Sequence, residues 1–131
     1  MQTQEIGVYT IERQSNILFI DIQGAFNDTV SEQYHQDIKI ITEQMSDVPW
    51  ASLISFQDNS LFTPDAEQKL VETTEYRVDN GMIAIAAVII NSAHADILQM
   101  QLQRVYQRCC IKFNFFSDIK PAQNWLDSFI N

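Results

Sequence analysis

Nucleophilic catalysis needs an attacking group with a base beside it, and metal chemistry needs several soft or acidic ligands at fixed spacing. The two histidines of this chain supply neither pattern. His35 falls one step past Tyr34, beside the apolar stripe of a helical stretch and on its exposed side. His94 falls in the first turn of another helix, and no Cys or Ser can be placed next to either ring. Cys109 and Cys110 are adjacent, an arrangement that holds two sulfurs poorly for a disulfide. With no histidine nearby they read as one inward and one outward residue entering a strand, not as a metal site. Asp21 is an acid inside an apolar strand; it is either an outward residue near the strand's end or a carboxyl in the core, and the first reading is the simpler. The expectation is a non-enzyme, with no catalytic residue, no metal and no cofactor.

Recognition is what remains. Trp50 to Phe56 is an apolar strand, a short polar loop follows, and Thr63-Pro64-Asp65 opens a helix. Thr63 can cap, Pro64 takes the first helical position where its missing N–H costs nothing, and Asp65 and Glu67 complement the helix dipole. In an alternating α/β domain, a strand's carboxyl end feeding a helix amino terminus is where ligands and partner surfaces assemble. The candidate partner-binding residues are therefore Asp58, Asn59, Ser60, Leu61, Phe62, Thr63 and Asp65. Leu61 and Phe62 either stand exposed, pairing two copies across a two-fold axis, or fold back onto the core. The bland reading of Asp65 is an acid that satisfies the helix end.

The rest of the chain must hold this junction in place. With 131 residues, 46% hydrophobic and 11% aromatic, the composition is that of one globular domain spanning 1–131, with residues 1–6 a loose extension. The longest apolar run, Met82 to Ile90, is strand length, far below the ~20 residues of a membrane span. Met1-Gln2-Thr3-Gln4-Glu5 has neither basic residues nor an apolar segment behind it, so the reading is cytoplasmic. A net charge of −9 opposes nucleic-acid binding. Residues 1–95 carry 14 Asp/Glu against 4 Lys/Arg, whereas residues 96–131 carry 3 against 4, which leaves Arg104, Arg108, Lys112 and Lys120 as the region able to receive an acidic partner.

Val8–Arg13 and Ile17–Gln23 alternate about the turn Gln14-Ser15-Asn16 and form a hairpin that Gly24 ends. Thr29 and Glu32 form a capping box for a helix carrying Val30, Tyr34, Ile38, Ile41 and Met45, stopped before Pro49. The helix begun at Pro64 runs to Val78, and Asn80 or Gly81 supplies the left-handed stop. Met82–Ile90 is apolar on both faces, the mark of a central strand. A helix follows with Leu98, Leu102, Val105 and Tyr106 inward and Gln99, Gln101, Gln103 and Gln107 mostly outward. Cys109–Phe116 is the last strand, and Pro121 opens a helix with an apolar face of Ala122, Trp125, Leu126, Phe129 and Ile130. The order β-β-α-β-α-β-α-β-α gives an α/β fold: a five-stranded, mostly parallel sheet with an antiparallel first strand and four helices.

The opening hairpin, Gly24 before the first helix, Pro49-Trp50 at the third strand and the closing Ala122-x-x-Trp125-Leu126 resemble the STAS superfamily, the anti-sigma-factor-antagonist fold, from about Gly7 to Phe129. More closely they resemble its SpoIIAA-like branch of small bacterial proteins, described as STAS/SEC14-like. The resemblance implies a regulatory binding domain whose partner contacts lie where the third strand meets the second helix. In the bacterial antagonists a serine there, in a motif like Asp-Ser-Ser-Gly-Leu-Gly, is phosphorylated to switch the partner. The matching stretch here is Phe62-Thr63-Pro64-Asp65-Ala66, with neither serine nor either glycine. Asp65 puts one permanent negative charge in the turn where a phosphate would add up to two, so the expectation is a fixed surface; phosphorylation of Ser60 or Thr63 would overturn it. SEC14-like proteins hold lipids, which implies as the alternative a carrier of an apolar ligand lined by Phe113, Phe115, Trp125 and Phe129. The plain alternative is that these residues fill the core.

Overall fold

Strands that are apolar on both faces need cover on both, and the strands that begin at Trp50 and Met82 receive it. The computed structural model describes residues 7–130, and of Phe129 only the backbone; the extension expected over 1–6 and the Phe129 side chain lie outside the described residues. The elements are β1 (Val8–Gln14), β2 (Ile17–Phe26), α1 (Asp28–Glu43), β3 (Trp50–Phe62), α2 (Pro64–Asp79), β4 (Met82–Ile89), α3 (Ala95–Arg108), β5 (Lys112–Phe116) and α4 (Ile119–Ile130). The sheet order is β1-β2-β3-β4-β5, with β1 antiparallel to β2 and all later pairs parallel. This is the expected α/β architecture.

Crossovers of one handedness that step one way across a sheet put their helices on one face. α1, α2 and α3 accordingly share a face, where Leu18, Ile20, Ile22, Ile54, Phe56 and Ile85 meet Tyr34, Ile38, Leu70, Leu98, Leu102 and Val105. α4 stands alone on the other, with Ala122 and Leu126 over Ala51, Leu53, Ala84, Ala86 and Val88. Each large side chain buried this fully contributes about 1.5–3 kcal/mol. Alanines dominate the second face of β4, so α4 sits close to the sheet.

Trp50 locks the entry to β3. It is fully buried, its indole N–H donates to Asn80 O at 2.9 Å, and its backbone N–H donates to Gly81 O at 3.3 Å. Gly81, at φ 101°, supplies the left-handed turn out of α2, whereas Asn80 is at φ −108°.

Several boundaries differ from the sequence reading. Asn27, not Thr29, caps α1, because the chain leaves β2 extended at Asn27 and its Oδ1 reaches the Val30 N–H at 3.0 Å. Gly24 does not end β2; at φ 78° it forms a bulge, after which Ala25 and Phe26 rejoin the ladder. Cys109 and Cys110 do not enter a strand: Cys109 is the C-cap of α3 and Cys110 takes the left-handed conformation (φ 57°) that ends it, although Cys109 is buried and Cys110 exposed as expected. α4 begins at Ile119, so Pro121 lies in its first turn, where a missing N–H has no intrahelical bond to lose.

Candidate functional site

The polar loop expected after Phe56 is a bulge inside one continuous strand. Gln23 pairs with Gln57 and Ala25 with Leu61, so Gly24 alone stands opposite Asp58, Asn59 and Ser60. Asp58 and Asn59 absorb the excess in the left-handed region, at φ 54° and 57°, where Asp and Asn are tolerated because their short polar side chains bond locally. Both are exposed. The Asn59 carboxamide oxygen accepts the Ala93 N–H at 2.7 Å, which ties the bulge to the β4–α3 connection, where Asn91 is also left-handed (φ 48°). Three non-glycine residues in this region on two adjoining segments mark a built corner at the carboxyl ends of β3 and β4.

The seven expected partner-binding residues divide by burial. Asp58, Asn59, Thr63 and Asp65 are exposed. Ser60 is 1% exposed, and its hydroxyl donates to Gln57 O at 2.6 Å, which puts it out of a kinase's reach in the folded chain. Phe62 is 5% exposed and meets Phe26 and Phe56 edge-on, with Leu61 half-buried against the same core. Of the two readings for Leu61 and Phe62, the structure shows the return to the core. On α3, Ile97 and Met100 are large apolar side chains that stand exposed. Thr63 caps α2 through Ala66 N–H at 3.1 Å, as its position predicts.

Beside the corner, α2 and α3 enclose a groove of about 470 Å³. Phe62, Val71 and Val105 line its floor, Pro64 stands at its mouth, and Arg104 and Arg108 line the α3 side. Arg104 grips Glu67 with two parallel bonds, Nε–Oε2 at 3.0 Å and Nη2–Oε1 at 2.8 Å, which raise its already high pKa. Arg108 is exposed and forms no ion pair among the described residues. Gln101 is a correction: expected to lie mostly outward, it turns in, giving its Nε2–H to Phe62 O (2.8 Å) and accepting the Phe62 N–H on Oε1 (3.1 Å). Sequence offers little to single it out from Gln99 and Gln103.

Neither histidine lies where the sequence put it. His35 is half-buried and bridges α1 to α2 at 2.7 Å from Thr73 Oγ1. Since that hydroxyl donates to Lys69 O at 2.9 Å, His35 Nδ1 carries the proton and donates. Burial, with Lys69 and Lys39 adding, holds its pKa below the usual value against the opposing pull of Glu32 and Glu72. His94 is the exposed residue preceding α3, not a member of its first turn. Among the described residues no group of three or more His, Cys, Asp or Glu is placed to hold a metal ion.

Two other polar groups stand out. Arg77 is 0% exposed and donates to Ser52 Oγ at 3.1 Å and Thr74 Oγ1 at 3.2 Å, while its Nε–H and the buried hydroxyls of Tyr34 and Tyr106 have no hydrogen-bond partner among the described residues. Burial raises the pKa of both tyrosines, so they stay neutral. A signal for Arg77 was available, because Ala66, Leu70, Thr73 and Arg77 recur at helical spacing on the inward stripe of α2. Asp21 is half-buried on the α4 face in the middle of β2, not near the strand's end as the simpler reading had it.

Of the residues expected to line an apolar pocket, the three whose side chains are described, Phe113, Phe115 and Trp125, are not brought together. Phe113 and Phe115 pack with Tyr106 beneath α3, whereas Trp125 packs on Phe116 across the sheet. Phe113, Phe115 and Trp125 are each half-buried in packing that fills the two core layers. No described helix is long and apolar enough to cross a membrane.

This geometry can be set against known proteins. No family model matches the chain, and no curated protein matches it. A solved structure does: that of an uncharacterized protein of the DUF3478 family, with a SpoIIAA-like fold, from Shewanella loihica PV-4, with a TM-score of 0.65 over 96% of this chain and 98% of that one. The fold is SpoIIAA-like. At 13% identity the likeness is one of fold alone. In this SpoIIAA-like domain the β3–α2 junction carries Asp65 and Thr63 in the exposed turn and turns its one serine, Ser60, inward.

Proposed function

We propose that this SpoIIAA-like domain works by binding a protein partner and performs no chemistry of its own. The partner seats on the rim made by the Asp58–Asn59 bulge, the Thr63–Asp65 turn and the groove between α2 and α3. The observation that supports this reading is the groove itself: on a molecule of net charge −9, Arg104 and Arg108 line a concave surface beside the exposed end of α2. Arg108, without an ion-pair partner among the described residues, is the natural contact for a partner's carboxylate. Asp65 gives the rim a constant negative point, so the surface is fixed and not switched by phosphorylation. Phosphate on Thr63 in protein from the native cell would refute that part.

The test is affinity purification of the whole chain from its native organism, comparing wild type with Arg108→Glu, Asp65→Lys and the remote control Glu43→Lys. A stoichiometric partner retained by wild type and Glu43→Lys but lost by the other two supports the reading. Equal retention by all four places the contact elsewhere.

A further inference from the structure

The second face of the sheet is unevenly covered. α4 lies over β3, β4 and β5, and its carboxyl end is tied to the β1–β2 turn by Asn16 Nδ2, which donates to Ile130 O at 2.8 Å. β1 and β2 carry the face out beyond the helix, and there its character changes. Thr10, Asp21 and Ser55 form one row across the ladder, with Glu12, Phe19 and Leu53 in the next. With Ile119 at the start of α4 these side chains line a groove of about 280 Å³.

Asp21 is the fixed point of that groove. Its Oδ1 accepts from Ser55 Oγ at 2.6 Å and Gln57 Nε2 at 2.6 Å, and its Oδ2 accepts from Gln23 Nε2 at 2.9 Å. These donors orient the carboxylate without neutralising it. Among the described residues neither Asp21 nor Glu12 forms an ion pair, and no basic side chain lines the groove. Phe19 lines the same groove, directly opposite Glu12 and two residues from Asp21. Two carboxylates next to an aromatic ring, one across the ladder and one along the strand, complement a planar, weakly hydrated cation, which can fork onto carboxylate oxygens and stack on the ring.

The size and setting narrow the occupant further. The volume lies at the small end of ligand pockets, ~300–1,000 Å³, and is enough for one side chain. Among the described residues β1 is an edge strand paired with β2 alone, so its outer backbone groups can bond an extended chain laid alongside, whose alternate side chains would fall on the groove's face. We infer that this half of the sheet is a second recognition surface, which takes an arginine side chain presented by an extended segment of a protein partner.

The experiment is an amide NMR titration of the full chain with an acetylated, amidated heptapeptide of Thr and Val bearing one central arginine, and with the same peptide bearing citrulline. The arginine peptide should shift the amides of Thr10, Phe19 and Asp21 and bind about tenfold or more tightly than the uncharged isostere. Asp21→Asn should weaken it by a similar factor and exposed Glu12→Gln several-fold, with unchanged spectra away from the groove showing that each variant is folded. Arg108→Glu should leave it untouched, which separates this surface from the α2–α3 groove. Equal binding of the two peptides, shifts confined to another face, or no shift at millimolar peptide would overturn the inference. So would acetyl-arginine amide alone matching the peptide, since that would make the occupant a free small cation.

Discussion

Arg77 carries a guanidinium wholly out of water, yet only two hydroxyls receive its hydrogens and no carboxylate pairs with it among the described residues. Desolvating such a charge costs several kcal/mol, which two neutral acceptors offset only in part. Arg77→Met, of similar length and apolar, should therefore leave urea-unfolding stability unchanged or raise it by about 1–4 kcal/mol. Arg77→Ala, which leaves a cavity, should fall about 2–5 kcal/mol below the Met variant. A Met variant well below wild type would mean that the charge is compensated by contacts other than these two. His35 carries a second residue-scale consequence. Its folded pKa lies below the unfolded value of about 6.5, so between the two the unfolded chain binds more protons and stability rises with pH. The contribution is complete above about pH 6.5 and is lost as pH falls through that window. The urea midpoint of wild type should drop more steeply from neutral to mildly acidic pH than that of His35→Gln; parallel curves would remove the His35 contribution.

At the scale of elements, what could be read from the sequence was what is encoded locally. The stripe of Val30, Tyr34 and Ile38, the Thr63 cap with Pro64 behind it, and the two-faced apolar run of β4 are each properties of one segment. The bulge is not, because a register shift belongs to two strands at once: Gly24 in β2 and Asp58–Ser60 in β3 produce it together. For that reason a strand of 13 residues read as a shorter strand and a loop, Ser60 read as surface, and Phe62 was left between surface and core. Gln101 was hidden in the same way, since its polar atoms are satisfied by the backbone of a residue 39 positions away. Gln101→Leu should strand the Phe62 N–H and C=O without partners and cost about 1–3 kcal/mol of stability. The Phe62 amide should also exchange its hydrogen faster, and unchanged protection there would show that the side chain is dispensable to the end of β3.

On the scale of the whole molecule, the sequential strand order decides where recognition can occur. An α/β sheet whose strand order reverses opens a crevice between helices on opposite faces, and ligands gather there. Here α1, α2 and α3 stand side by side, so there is no such crevice, and recognition falls to surface hollows, among them the furrow between two of those helices and the part of the opposite face that α4 does not reach. In the first, Glu67 already holds Arg104 and Arg108 is left without an ion pair among the described residues, whereas the second is lined by two carboxylates and no basic side chain, so the two surfaces select for partners of opposite charge. The α4 side was the less legible of the two, because Asp21 acquires its meaning only from Ser55 and Gln57 on the neighbouring strand.

Hydrogen–deuterium exchange of the full chain with and without its co-purified partner tests the docking surface most directly. Added protection should appear across Asp58–Ala66 and along Gln101–Arg108, and it should vanish with Arg108→Glu. Protection confined to β1, β2 or α4, with those two segments unchanged, would contradict the assignment.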